Sequence, residues 1–274
     1  MKETSANRES ERFRRDVGKY SSYLATPEGR LRIDLAFASL QDLVLQRQGP
    51  ICALDIGCGT GALAIRLAQR GVHVTLFDSS APMLGLAEQA ARDAELTGNI
   101  SLKHGDAARL TDLLNGKLFD LIICHNVLEY VDDPGAIVRN ASRALRDSSS
   151  VVSVLVRNQA GEVVKAAIRS GDLTAAERNL TAEWGSESLY GGSVRLFSPA
   201  SLHAMLRESS LTVSAECGIR ILSDYLPPQI SRENEYERIF TLERKLGIRP
   251  EFVGVARYIQ CLATRPGPGL KDAA

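Results

Sequence analysis

Short apolar runs alternate with segments in which apolar residues recur every three or four positions, from residue 51 to residue 156. The runs predict strands buried on both faces, and the periodic segments predict amphipathic helices. Regular alternation of the two is typical of a doubly wound, mostly parallel α/β sheet with helices on both faces. The five predicted strands of this region are 51–56, 72–77, 100–104, 119–124 and 151–156.

Capping residues, prolines and glycines mark where the helices begin and end. A short amphipathic helix through Phe13, Val17 and Tyr20 is expected either to cover the core or to close a site. A second helix starts at Thr26-Pro27 and continues to about Gln46. The helices between the strands are expected from Ala62 to about Arg70, from Pro82 to before Gly98, and from Pro134 to about Leu145.

The alternation breaks over residues 158–197, which we interpret as a helical insertion after the fifth strand. Helices are expected over 163–168 and 173–180, followed by a loop over 184–192. Such an insertion would either overhang the carboxyl edge of the sheet or form an exposed connection. Its aromatic residues favour the overhang, because an exposed loop rarely carries so many; they are Trp184, Tyr190 and Phe197.

Two further strands, over 211–222 and 252–263, bring the expected sheet to seven strands and end it in an antiparallel pair. We therefore divide the chain into N-terminal helices over 1–48 that cover the site, a main domain over 49–264, and a disordered Pro/Gly-rich tail over 265–274.

Composition narrows the class of protein only slightly. The 274 residues are 44% hydrophobic and 24% charged, as in ordinary soluble proteins, and the formal net charge is zero. Net charge thus gives no argument for nucleic-acid or membrane binding, and no signal peptide or membrane-spanning run is visible. Five scattered cysteines without a CxxC pair predict a reducing, cytoplasmic environment and neither disulfides nor a metal site.

The glycine-rich turn after the first strand is the main candidate for ligand binding. Glycines 57, 59 and 61 would let a ligand approach main-chain N–H groups at the start of a helix. Gly57-x-Gly59-x-x-Ala62 fits the dinucleotide fingerprint of NAD enzymes. With Asp55 before it, Gly57-x-Gly59-x-Gly61 instead resembles the first motif of class I S-adenosylmethionine methyltransferases. A tight turn without a ligand is the third possibility.

Polar residues follow the other strands at the same edge of the predicted sheet. Asp78 ends the second strand, where an acid can accept hydrogen bonds from ribose hydroxyls. It could instead cap the next helix, although Ser79 and Ser80 are available for that. Gly105-Asp106-Ala107 follows the third strand, and His125 begins the segment His125-Asn126-Val127-Leu128-Glu129-Tyr130 after the fourth.

As a set, these motifs over residues 50–157 resemble class I S-adenosylmethionine methyltransferases. The resemblance implies S-adenosyl-L-methionine as cofactor, with the glycine loop against its methionine part. It implies that Asp78 holds the ribose hydroxyls, that Asp106 with Ala107 meets the adenine, and that His125 faces the ligand. A NAD-dependent oxidoreductase stays as a distant alternative.

Three segments near the chain ends are similar to the bacterial tRNA 5-carboxymethoxyuridine methyltransferase family: Thr26 to Arg32, Gly218 to Leu226, and Ala256 to Ile259. That family esterifies the carboxylate of a modified wobble uridine, and the similarity implies that Arg32 contacts the cofactor. The best-known members carry a lysine/arginine run in the insertion, whereas residues 184–192 contain no basic residue. A small-molecule acceptor therefore stays open beside modified tRNA.

A carboxylate acceptor is ionised at pH 7 and needs no general base, only orientation. Arginine supplies a bidentate fork for carboxylates, so Arg220 and Arg257 are candidates, with Tyr225 and Tyr258 beside them. Alternatively, the arginines only pair with acids such as Asp224 or Glu251, and the tyrosines fill the core. His125 could act as a base for a hydroxyl acceptor, but packing against the ligand is the favoured role.

Overall fold

The computed structural model describes residues 17–46, 49–187, 189 and 191–267. The helices are α1 Val17–Ala25, α2 Pro27–Gln46, α3 Ala62–Ala68, α4 Ala81–Asp93, α5 Leu110–Leu114, α6 Pro134–Ala144, α7 Gln159–Val164, α8 Leu173–Asn179, α9 Pro199–Glu208, α10 Tyr236–Gly247 and α11 Pro250–Val253. The strands are β1 Cys52–Ile56, β2 His73–Asp78, β3 Ile100–His104, β4 Leu121–His125, β5 Val151–Arg157, β6 Trp184–Ser186, β7 Ser193–Arg195, β8 Thr212–Ile219 and β9 Tyr258–Thr264.

Seven strands form one sheet in the order β3-β2-β1-β4-β5-β9-β8. The first five in this order pair in parallel, and β9 is antiparallel to both β5 and β8. Successive residues of β4 belong to different hydrophobic clusters, Ile122 to one and Ile123 to the other. The central strands are therefore covered by helices on both faces, and the predicted fold class is confirmed.

Two predicted strands are shorter than the sequence suggested. The strand expected over 211–222 ends at Ile219, because Arg220 adopts a left-handed backbone conformation with φ +60°. The strand expected over 252–263 begins only at Tyr258. Pro250 starts the short helix α11 instead, which is a position where proline is tolerated because its missing N–H is not needed.

The insertion after β5 differs from its prediction in two places. Its first helix is α7, capped by Asn158 and continued by a π-helical turn over Lys165–Arg169, instead of a helix over 163–168. The expected loop over 184–192 contains β6, which pairs with β7 in a small hairpin. Runs of three residues are too short to give a readable alternation, so the hairpin could not be recognised in the sequence.

The second predicted helix matches α2, whereas Phe13 and most of the expected tail lie outside the described residues. The division into N-terminal helices, main domain and tail stays a prediction. Among the described helices, none combines the length and apolar character needed to cross a membrane.

Candidate active site

One cavity of about 1130 Å³ opens along the carboxyl edge of the sheet. The rim receives a residue from the end of each parallel strand, from the end of β8, and from the beginning of the antiparallel β9. Ten of the residues predicted from the sequence line it: Arg32, Gly57, Gly59, Asp78, Asp106, Ala107, His125, Arg220, Arg257 and Tyr258. Three others, Asp55, Gly61 and Tyr225, are not among the lining residues.

The glycine loop requires glycine for both backbone and packing reasons. Gly57, Gly59 and Gly61 have φ values of +66°, +54° and +73°. A Cβ atom on Gly57 would overlap the side chain of Val127, and one on Gly59 would lie 3.1 Å from the ring of Tyr20. The loop thus forms a shallow cradle whose floor is main chain, which is the surface that a closely bound ligand needs.

Asp78 is held by this loop and faces the cavity. Its carboxylate accepts hydrogen bonds from the N–H groups of Gly59 and Ser80, both at 2.8 Å. Ser80 caps α4 through the N–H of Met83, so Asp78 is not needed as the helix cap. Burial raises the pKa of Asp78. Lone pairs of its oxygens remain for the hydroxyl groups of a ligand.

Asp106 and Asp55 are the other two acids predicted from the sequence. Asp106 lines the wall and caps the short turn Ala107–Arg109 by accepting from the N–H of Ala108 at 2.9 Å. Asp55 is buried at the end of β1. Burial, with a contribution from the charge of Asp78, raises the pKa of Asp55 to about 8. An adjacent cationic ligand group would favour its ionised form.

Arg32 and His125 also line the cavity, and each is hydrogen-bonded to a neighbouring side chain. Arg32 donates to Asn126 Oδ1 at 2.8 Å and to the hydroxyl of Tyr20 at 3.2 Å, and its guanidinium lies 5.1 Å from the ring centre of Tyr23. His125 Nε2 is 2.7 Å from the hydroxyl of Ser153. Burial and the nearby Arg32 lower the pKa of His125 to about 3, so the imidazole is neutral at pH 7.

Cationic side chains dominate the other half of the cavity. Sequence reasoning missed three of its members, Arg157, Lys165 and Arg169. Arg157 could have been found as the strand-end residue of β5, and Lys165 with Arg169 as an i, i+4 pair on one helical face. The cations of this wall are Arg157, Lys165, Arg169, Arg220 and Arg257.

Buried acids fix three of these arginines in place. Arg220 pairs with Asp224 and also donates to the hydroxyl of Tyr23 at 2.9 Å. This agrees with the pairing considered for Arg220. Arg257 pairs with Glu162 at 2.7 Å and lies 3.8 Å from Asp224, whereas Glu251 pairs with Arg249.

Arg157 extends the same network, reaching Glu187 at 2.6 Å and Glu162 at 3.4 Å. Tyr130 donates to Glu187 at 2.9 Å. Each guanidinium thus has a fixed orientation before any ligand arrives.

Tyr258 lies between these arginines. Burial opposes ionisation of its phenol, but the charges of Arg157, Arg220 and Arg32 outweigh burial and lower the pKa to about 8. Tyr225 differs, because burial raises its pKa to about 12 and its buried hydroxyl has no hydrogen-bond partner among the described residues. The geometry therefore brings Tyr258, Arg220 and Arg257 together and leaves Tyr225 outside the cavity lining.

A comparison with protein families identifies the domain that forms this sheet and cavity. Residues 29–216, more than half of the chain, match the family model described as a methyltransferase domain. The chain belongs to this family and is an S-adenosyl-L-methionine-dependent methyltransferase, so the alternative of a NAD-dependent oxidoreductase is set aside.

Individual relatives share different amounts of the chain. The tRNA 5-carboxymethoxyuridine methyltransferase of Escherichia coli K12 is 28% identical over 266 residues, which cover 94% of each protein. The ubiquinone biosynthesis O-methyltransferase of Methylococcus capsulatus is 31% identical, but over 46% of this chain and 53% of that protein. The magnesium protoporphyrin IX methyltransferase of Synechocystis PCC 6803 shares the fold, with a TM-score of 0.64 at 16% identity over 96% of this chain and 100% of the other.

Proposed function

We propose that the enzyme methylates a carboxylate, and that this carboxylate is the 5-carboxymethoxy group of a uridine at the wobble position of tRNA. The observation that carries the proposal is the cluster of cationic side chains on the cavity wall around Tyr258. Five cations line this wall and outnumber the two acids of the lining that pair with them, Glu187 and Asp224. Similarity over 94% of the tRNA methyltransferase of Escherichia coli supports the identity of the acceptor.

S-Adenosylmethionine supplies a methyl group already activated on a sulfonium sulfur. We infer that the glycine cradle, Asp55 and Arg32 hold its methionine part, with Gly61 completing the turn. Asp78 would accept hydrogen bonds from the ribose hydroxyls, and Asp106 with Ala107 would contact the adenine. The bare main chain of the cradle, with its positive φ angles, and the remaining lone pairs of Asp78 fit this ligand.

The proposed acceptor site needs to orient an anion and nothing more. Arg220, Arg257 and Tyr258 would bind the carboxylate, because guanidinium groups match its planar geometry. The carboxylate oxygen forms a bond to the methyl carbon as the carbon–sulfur bond breaks. The products are a neutral ester and S-adenosylhomocysteine, and no proton has to move. The protein contributes alignment and exclusion of water.

A small-molecule acceptor is the second candidate. The specific observation in its favour is the similarity to ubiquinone biosynthesis O-methyltransferases, which extends over 46% of this chain at 31% identity. The zero net charge of the chain is consistent with such an acceptor. This match covers less than half of the chain, however, whereas the match with the tRNA enzyme covers 94% of it. The shorter match therefore says less about the residues proposed to bind the acceptor.

A labelling experiment separates these candidates. The enzyme would be incubated with methyl-labelled S-adenosylmethionine and either tRNA from a strain that lacks this methylation or a metabolite extract. We expect label in tRNA that mild alkali releases as methanol, because esters hydrolyse and ethers or N-methyl groups do not. The variant Arg257→Gln should lose most of this activity, with Arg238→Gln, an exposed arginine on α10, as the matched control. Label confined to the extract, or stable to alkali, would refute the proposal.

A further inference from the structure

A chain of buried hydrogen bonds runs from α2 through the sheet to His125. The hydroxyl of Ser39 lies 2.7 Å from Gln260 Oε1 and 2.9 Å from the oxygen of Ala36, and its one proton is available to both. Gln260 Nε2 donates to the hydroxyl of Ser153 at 3.0 Å, and that hydroxyl is 2.7 Å from His125 Nε2. Ser153 and Gln260 are 0% and 1% exposed. Apart from the imidazole that it ends on, this chain lies outside the residues that line the cavity.

The carbonyl group of Ala36 fixes the direction of the Gln260 amide. Gln260 Nε2 lies 3.2 Å from the oxygen of Ala36, which can only accept a hydrogen bond. Turning the amide over would bring two acceptor oxygens to this distance. The amide therefore uses its two N–H groups on Ala36 and Ser153, and its oxygen faces the hydroxyl of Ser39.

The direction of the amide in turn fixes the proton on His125. The hydroxyl oxygen of Ser153 accepts from Gln260, so its own proton points to His125 Nε2. If Nε2 carried the proton instead, the buried hydroxyl of Ser153 would have no acceptor among the described residues. An unsatisfied buried donor costs about 1–3 kcal/mol. The neutral imidazole therefore has its proton on Nδ1.

We propose that Ser153 and Gln260 are positioning residues that hold His125 as the Nδ1–H tautomer, so that its imidazole donates a hydrogen bond to a carboxylate oxygen of the bound ligand. The imidazole lines the cavity near Arg32. Among the described residues, its hydrogen bond is made through Nε2, to Ser153. The low pKa of His125 agrees with a neutral donor. The role as a base, considered for a hydroxyl acceptor, does not fit this arrangement.

The carboxylate belongs either to the methionine part of the cofactor or to the acceptor. The inference rests on the proposed use of this cavity, but the tautomer can be measured without any ligand. Long-range proton–nitrogen NMR of the ¹⁵N-histidine-labelled protein distinguishes the two neutral tautomers and the imidazolium. The chain has four histidines, and loss of one signal set in His125→Asn assigns the resonances.

We expect the Nδ1–H pattern from pH 5.5 to 8. Ser153→Ala should move His125 toward the Nε2–H pattern, and Ser153→Thr, which keeps the hydroxyl group, should retain the Nδ1–H pattern. Ser142→Ala, at a buried serine on α6, should also leave the Nδ1–H pattern unchanged. An Nε2–H pattern in the unmodified protein, or protonation near pH 6.5, would overturn the proposal even if tRNA methylation succeeds.

Binding measurements identify the source of the carboxylate. If it is the cofactor, His125→Phe should weaken binding of S-adenosylhomocysteine about tenfold and leave 5′-methylthioadenosine, which lacks the carboxylate, unaffected. If it is the acceptor, S-adenosylhomocysteine should bind normally and the KM for the acceptor should rise about tenfold. No change in either quantity would refute the donor role.

Discussion

Asp55 is a buried acid whose ionisation is unfavourable in the ligand-free protein. The residue is 5% exposed, and burial together with the charge of Asp78 raises its pKa to about 8. In the unfolded chain an aspartate titrates near 4. Between about pH 4 and pH 8 the folded state therefore holds a proton that the unfolded state has lost, and stability falls as pH rises through this window.

We expect Asp55→Asn to remove this pH dependence. Relative to the variant, the unmodified protein should lose up to about 1.4 kcal/mol of unfolding free energy for each pH unit within the window. Denaturant unfolding of the ligand-free protein at pH 5.5, 6.5 and 7.5 measures the difference. Asp112→Asn, at an exposed acid on α5, is the control. Parallel pH profiles for Asp55→Asn and the unmodified protein would show that Asp55 is ionised throughout.

Individual site residues could be predicted from the sequence where they lie at or just after the end of a parallel strand. Asp78, Asp106 and His125 follow parallel strands, and such ends meet at one edge of a sheet. The nearer partner of Arg257 was not predictable, because Glu162 lies in the insertion and approaches only in the folded protein. Of the two acids considered from the sequence, Asp224 lies 3.8 Å from Arg257, whereas Glu251 pairs with Arg249 at 3.9 Å.

At the scale of the elements, the glycine turn between β1 and α3 is constrained both by its backbone conformation and by side-chain packing, and the two effects can be measured separately. Gly57 has a positive φ, and its Cβ position overlaps Val127. Gly71 has a φ of +82°, but no heavy atom lies within 4 Å of its Cβ position. Gly71→Ala thus reports the backbone cost alone, about 1 kcal/mol.

We expect Gly57→Ala to lower the unfolding free energy by about 2–4 kcal/mol, because overpacking adds to the backbone cost. It should also abolish binding of S-adenosylhomocysteine. Adding Val127→Ala removes the overlap, so the double variant should approach the loss seen for Gly71→Ala. Thermal unfolding and calorimetric titration of the four proteins give both quantities. Equal losses for Gly57→Ala and Gly71→Ala would show that Val127 does not restrict the loop.

The insertion shows why some elements are not readable from sequence. The hairpin of β6 and β7 has three paired residues in each strand, and the turn over Lys165–Arg169 is π-helical. Neither has a distinct periodicity, and the hairpin segment is held by contacts with the body of the domain. The hydrogen bonds from Arg157 to residues of this segment are an example. The five parallel strands β1 to β5, in contrast, were located to within two residues at each end.

For the whole molecule, net charge was a poor guide to the charge that a ligand meets. The formal charge of the chain is zero, yet one wall of the cavity is lined by five cationic side chains and only two acids that pair with them, Glu187 and Asp224. Folding brings these residues together from β5, the insertion, the end of β8 and the start of β9. Such a local concentration of positive charge can bind an anionic acceptor, although the net charge of the whole chain does not reveal it.

The salt dependence of catalysis tests whether this field also contacts a tRNA backbone. Arg169 is exposed and Lys165 half-buried at the cavity, so we expect them to neutralise about two phosphates of a bound anticodon loop. The logarithm of KM for tRNA should then rise with the logarithm of salt concentration with a slope of about 1.4, since each single-strand phosphate contributes about 0.7. Lys165→Gln and Arg169→Gln should each lower the slope by about 0.7, and Arg238→Gln should not.

For an isolated nucleoside carboxylate the slope should be close to zero. The same slope in all variants would place the tRNA backbone on another surface, and a flat profile for tRNA would favour a small-molecule acceptor.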